Sequence, residues 1–149
     1  MGSTTTAGTE LAISGGTPAG NTEAAIKALT YTVIGNVESL GAFGATNEVT
    51  NFQPLKGELQ KYKGPRNSGA IQPSMAHDDS DAGQTLFRTA ADDQSQKLYY
   101  FKVTYPDGAM RHFGARVFGY PENVGGANTM LMANPSVEIS TPVYKTAAV

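Results

Sequence analysis

The chain is predicted to be mainly β: a β-sandwich or barrel of about seven strands with one short flanking α-helix. Three observations predict this. The stretch LYYFKVTYPDGAMRHFGARVFGY, residues 98–120, holds two runs of aromatic and β-branched residues around a Pro-Asp-Gly turn. The 17 glycines and 8 prolines suit many turns between short strands. One stretch, SDAGQTLFRTAADD, carries an amphipathic helical spacing with a cap.

At 149 residues the chain fits one domain. A chain of that size can bury roughly 68–70% of its unfolded surface, so it needs no covalent staple. It has no cysteine, which excludes disulfides and thiolate metal sites. With 11 Lys+Arg against 13 Asp+Glu, it lacks a basic field to hold nucleic acid or an anionic membrane. No apolar run approaches the ~20 residues that span a bilayer. The opening MGSTTTAGTE has neither a basic start nor an apolar centre, so it does not read as a secretory signal.

Residues 1–21 are rich in Gly, Ser, Thr and Ala, with Leu11-Ala12-Ile13 as the one apolar point. The expectation is a flexible N-terminal arm. It stays loose or orders against a neighbouring subunit. Residues 22–149 then form a single β domain. TEAAIKAL, 22–29, reads either as two helical turns capped by Thr22 or as the run-in to a strand. YTVIGNV, 31–37, reads as the first strand, and Gly41 and Gly44 mark a turn. A second strand is expected over 47–55, anchored by Val49 and Phe52. KGELQKYKGPRNSG, 56–69, is polar and reads as a long exposed loop or floppy hairpin. In 70–77, Pro73 predicts an edge strand or bulge.

For the helix, Ser80 is the expected N-cap and Asp81 suits the dipole. Ala82, Leu86 and Ala90 make the stripe, with Phe87 and Ala91 beside them. Asp92 and Asp93 should end it. In the hairpin, Tyr99, Phe101, Val103 and Tyr105 share one face by alternation. In the return strand, Ala109, Phe113, Ala115 and Val117 face one way, and Met110, His112, Arg116 and Phe118 the other. Both faces are mixed, which suits a sheet covered on one side and meeting solvent or another subunit on the other. A Gly-rich loop at 121–128, a last strand over 130–139 and an exposed tail complete the chain.

The motifs that carry chemistry are weak. DDSDAG lacks the continuation and distal Glu of a calcium loop. His77 and His112 lack metal-ligand spacing and read as strand residues. Neither a nucleophile elbow nor a phosphate-binding loop is present. Tyr99, Tyr100, Phe101 and Tyr105 read as core rather than a base-stacking platform, because no basic stripe flanks them. The expectation is a non-enzyme without cofactor or metal. The remaining pattern is electrostatic: Lys56, Lys61, Lys63 and Arg66 on the polar stretch, and Asp78, Asp79 and Asp81 ahead of the helix. Their opposite signs predict that they face each other between copies of the chain.

The order of parts resembles the tail tube (major tail) proteins of long-tailed bacteriophages. YTVIGNVESLG, NEVTNFQPLKGELQKYKG, DDSDAGQTLFRTAADD, KLYYFKVTYPDGAMRHFGARVFGY and MLMANPSVEIS carry the resemblance, over residues 30–140. It implies a subunit whose sheets join into a ring of six. The rings stack into a hollow tube that holds the tape-measure protein and conducts DNA without binding it specifically. The long early loop then reaches the adjacent ring, beside other tail proteins, in a virion assembled in the host cytoplasm, with no membrane involved. The alternatives are a tail terminator, a secretion-system inner tube, or a monomeric β-sandwich binding module.

Overall fold

The computed structural model describes residues 5–20 and 22–147. In chain order the elements are β1 (Glu10–Ser14), α1 (Glu23–Lys27), β2 (Thr32–Ile34), β3 (Val37–Ser39), β4 (Thr46–Phe52), β5 (Gln60–Asn67), β6 (Ala70–Ile71) and β7 (Ser74–Ala76). Then come α2 (Ala82–Asp92), β8 (Tyr99–Thr104), β9 (Met110–Gly119), β10 (Glu122–Asn123), β11 (Met132–Ala133), β12 (Ser136–Ile139) and β13 (Tyr144–Thr146). The main sheet has seven strands in the order β2-β1-β8-β9-β12-β6, with β13 also paired to β9. A second sheet runs β10-β11-β7-β3, and β4 pairs with β5 alone. Every pairing is antiparallel.

The hairpin β8–β9 forms as its alternation predicts, with Phe101 opposite Phe113. The Tyr105 amide donates to the Ala109 carbonyl at 2.8 Å, and the Asp107 carboxylate accepts from the Ala109 amide at 2.9 Å. Tyr99, Phe101, Val103, Phe113, Ala115 and Val117 line the core. An aromatic file crosses it. Phe87 of α2 meets Phe101 edge-on at 5.4 Å, Phe101 stacks on Phe113 at 5.6 Å, and Phe113 meets Phe43 at 6.0 Å. Each ring withdraws apolar area worth roughly 1.5–3 kcal/mol from water.

Residues 10–14 depart from the expected flexible arm. They form β1, inserted between β2 and β8, with Leu11, Ala12 and Ile13 at 1% exposure or less. The entropy that a Gly/Thr-rich segment loses is offset because both its edges find ladder partners and Leu11 and Ile13 enter the core. Residues 1–4 and 21 of that expected arm lie outside the described residues.

Three other expected strands, those over 31–37, 70–77 and 130–139, are each two strands. The chain passes between the sheets at four corners: 35–36, 72–73, 120–121 and 134–135. Three of these hold a proline, namely Pro73, Pro121 and Pro135, which has no ladder donor to lose at a corner. The fourth holds Asn36 at φ 60°, a left-handed conformation that asparagine tolerates. The tail is also a strand: β13 pairs with the start of β9.

The helix α2 is capped one residue later than expected. The Asp81 carboxylate accepts from the Gln84 amide at 2.9 Å and from the Gly35 amide at 3.1 Å. Ser80 is taken up instead by Asp78, whose carboxylate accepts from its amide and hydroxyl. The buried face is Gly83, Gln84, Phe87 and Ala90, while Ala82 is exposed. Gly83 explains the rotation. A β-carbon there would overlap the Val33 carbonyl oxygen and stand 2.6 Å from the Ile34 α-carbon, so the helix rests directly on the β2 backbone. Gln84, fully buried, donates to the Gly35 and Ala76 carbonyls and accepts from the Asp78 amide, each at 2.9 Å. It thereby ties the helix to both sheets.

Candidate functional site

The stretch expected as a loop or floppy hairpin is a regular two-stranded arm, β4–β5. Val49 stands opposite Lys63, Asn51 opposite Lys61 and Phe52 opposite Gln60. Because paired residues share a face, Lys61, Lys63 and Arg66 lie together with Asn47, Val49 and Asn51. Thr50, Phe52, Gln60 and Tyr62 line the opposite face. Lys56 sits in the tip between the strands.

The arm has no core. Val49 and Phe52, expected as anchors, are 64% and 55% exposed. Leu55 at the tip is fully exposed, and Leu59 and Tyr62 are exposed too. An isolated two-stranded hairpin is at best marginal in water. The arm's base is held where Gly44 and Gly69 meet. Gly69 has φ +93°, and a β-carbon on it would stand 2.5 Å from the Gly44 carbonyl oxygen.

The structure brings the four cations onto this arm, and among the described residues none is paired with a carboxylate. The three expected acidic partners cluster elsewhere, and two have internal work. Asp81 caps α2 and holds Gly35. Asp78 holds Ser80, and those hydrogen bonds keep its carboxyl below the usual range. Asp79 is 86% exposed; it accepts from His77 Nε2 at 2.8 Å and lies 3.7 Å from Arg88. The other ring nitrogen of His77 lies 3.1 Å from Glu122. Sequence reasoning could not find this cluster, because its members come from the loop after β7, from α2 and from β10.

The second face of the main sheet is covered in its middle by α1. The Thr22 hydroxyl accepts from the Ala25 amide, and Ile26 is buried. Tyr31 meets His112 edge-on at 5.6 Å and donates its hydroxyl to the Ile26 carbonyl at 2.8 Å. Burial, and then Tyr100 beside it, push the Tyr31 phenol up, so it remains a donor. His112 is buried with Nδ1 unpartnered. Burial pushes its imidazole below the ordinary value, Lys27 and Lys102 push it further down, and Glu23 opposes them. An unfolded histidine takes its proton near pH ~6.5. Stability from a neutral His112 is therefore full above that pH and is lost as pH falls through the lower folded value. Melting temperature should drop between about pH 7 and pH 5, and the drop should shrink in His112→Leu. An equal drop in the variant would remove His112 as its source.

Among the described residues no group of three or more His, Cys, Asp or Glu is placed to hold a metal ion, and no helix is long and apolar enough to cross a membrane. No family model matches the chain, and no curated protein matches it in sequence. Solved structures do match. One is a chain from an extracellular contractile injection system, the PVC sheath/tube terminator in the extended state, with TM-score 0.68, 8% identity and 93% of each chain covered. The fold is tail-tube-like. Another similar chain belongs to the six-fold symmetrised baseplate of the anti-feeding prophage, with TM-score 0.67, 8% identity, and 94% of this chain and 93% of that one covered. A third comes from the PVC sheath–tube complex in the extended state, with TM-score 0.65, 9% identity, and coverage of 93% and 88%. The likeness takes in nearly the whole of this chain.

Proposed function

We propose that this chain is a structural, non-enzymatic subunit that forms rings in the tube, or at the tube end, of an injection-type assembly. The observation that carries the reading is the arm. Its apolar side chains are exposed and, among the described residues, its cations are paired with no carboxylate; a partner copy would cover the first and pair the second. The likeness to chains of sheath–tube and baseplate assemblies supports it. These neighbours favour an injection-system tube or terminator over a phage tail tube conducting DNA. In this reading, six copies close a ring and rings stack, with the arm reaching the adjacent ring. A tape-measure protein is a partner within the tube. Any DNA passes through the lumen without specific binding. Subunits are made in the producing cell's cytoplasm and end in an extracellular particle or virion.

Between rings, Lys61, Lys63 and Arg66, on one face of the arm, meet Asp79, together with Asp78 and Asp81 at the same acidic loop. Each exposed pair contributes only about 0–1 kcal/mol, so the effect depends on repetition around the ring. Purified protein viewed by negative-stain microscopy should form rings or filaments of uniform width. Reversing Lys61 and Lys63 to Glu should leave rings that no longer stack, and raised salt should weaken stacking of the parent. A particle that stays monomeric at high concentration would defeat the reading. A terminator would stop at one ring.

A further inference from the structure

A cleft of about 600 Å³ opens between residues 6–9 and the segment 37–43. Leu11, Val37, Leu40, Phe43 and Tyr105 line it with apolar surface, and Glu38 stands among them. Phe43 is also the last ring of the aromatic file, so this wall is anchored in the core. Glu38 belongs to β3, the outermost strand of the second sheet, whose free edge can pair with another main chain.

The cleft lies at the root of the arm. Leu40, Gly41 and Phe43 lead directly into β4 at Thr46. The arm's tip, with Leu55, Lys56 and Leu59, is at the other end of the ladder that runs from the Thr46–Asn67 pair to the Phe52–Gln60 pair. At ~3.4 Å per residue, six steps carry the tip about 20 Å from its root. The tip therefore cannot enter its own chain's cleft. We propose that the cleft receives the arm tip of a second copy, with Leu55 and Leu59 on its apolar wall and Lys56 beside Glu38. This deepens the assembly reading and rests on it. The tip gives and the root receives, so the contact is head-to-tail. It leaves a ring of free tips at one end of any stack and a ring of free clefts at the other, and repeats at a spacing set by the ladder.

The chain has no cysteine, which makes cross-linking clean. The double variant Leu55→Cys/Leu40→Cys should, on oxidation of assembled protein, give a ladder of covalent multimers on a non-reducing gel. Either single variant should give dimers at most. Phe118 is exposed outside the cleft, so Leu55→Cys/Phe118→Cys is the control and should give no ladder. If filaments form and the first pair does not cross-link, or the control pair does instead, the cleft is not the receiver, while the assembly reading stands. If no assembly forms and nothing cross-links, both fall. Closure of Ser3→Cys/Leu40→Cys within a single chain would assign the cleft to the chain's own first residues and overturn the proposal.

Discussion

Replacing residues 46–67 with a short Gly-Ser link should leave the melting temperature within about 3 °C of the parent and abolish stacking. The two halves of this expectation rest on the same geometry. The arm's strands pair only with each other, so removing both deletes no ladder bond of the body. Thr46 and Asn67 are directly opposed, so the cut ends lie about 5 Å apart and a few residues close the gap. A loop that short costs little entropy to close. What is lost is a row of exposed apolar groups, Val49, Phe52, Leu55, Leu59 and Tyr62, that a monomer gains nothing by presenting. Thermal unfolding and negative-stain microscopy of the same preparation read both halves. A cooperative transition displaced by ten degrees or so would mean that the arm supports the body. Undiminished filaments would mean that it does not join copies.

Gly83→Ala should destabilise the fold by roughly 3–5 kcal/mol, a large part of the ~5–15 kcal/mol that holds a typical domain. The sign is what makes the experiment informative. On a helix open to solvent, the same change stabilises by up to about 1 kcal/mol, because alanine is the better helix former. Here the added methyl meets the Val33 carbonyl and the Ile34 α-carbon, both backbone atoms that cannot rotate away. The helix must lift off β2. With it would go the Asp81 bond to Gly35 and the seats of Gln84 between Gly35, Ala76 and Asp78. Each buried group left without its partner costs about 1–3 kcal/mol. Urea unfolding measures the loss. An increase in stability would show that α2 does not rest on β2 by its glycine.

The parts of this fold that sequence pattern reveals are those whose partners are close in the chain. The β8–β9 hairpin carries its own turn and its own alternation, so both strands and the core-facing set were readable from 98–120. The helix carries its own stripe and a cap legible to within one residue, Asp81 in place of the expected Ser80, but its rotation is not legible. Gly83 and Gln84 look like poor core residues until the β2 backbone is set against them. Pro73 is legible as an interruption but not as a corner, and Pro135 as neither, since the apolar pattern continues while the chain changes sheet. β5 was hidden by its composition. Lys, Gln, Gly and Pro have little strand preference, and the ladder exists because β4 lies opposite. In the candidate interface, the gathering of cations was visible in the chain. The internal duty of Asp81 was not, because the amide it holds is 46 positions away. The cleft could not be read at all, being walled by residues 6–11, 37–43 and 105.

The position of β1 bears on how the molecule is made. Glu10 pairs with Thr104 and Ser14 with Tyr100, so β1 must wait for a strand that is synthesised about 90 residues after it. Until then the margin of Leu11, Ala12 and Ile13 that β8 will take stays vacant. Pairing over such a span is slow, and during the delay that margin can be captured by the wrong neighbour. A cell that makes many copies at once therefore faces its aggregation hazard during synthesis, before β1 has found its place between β2 and β8.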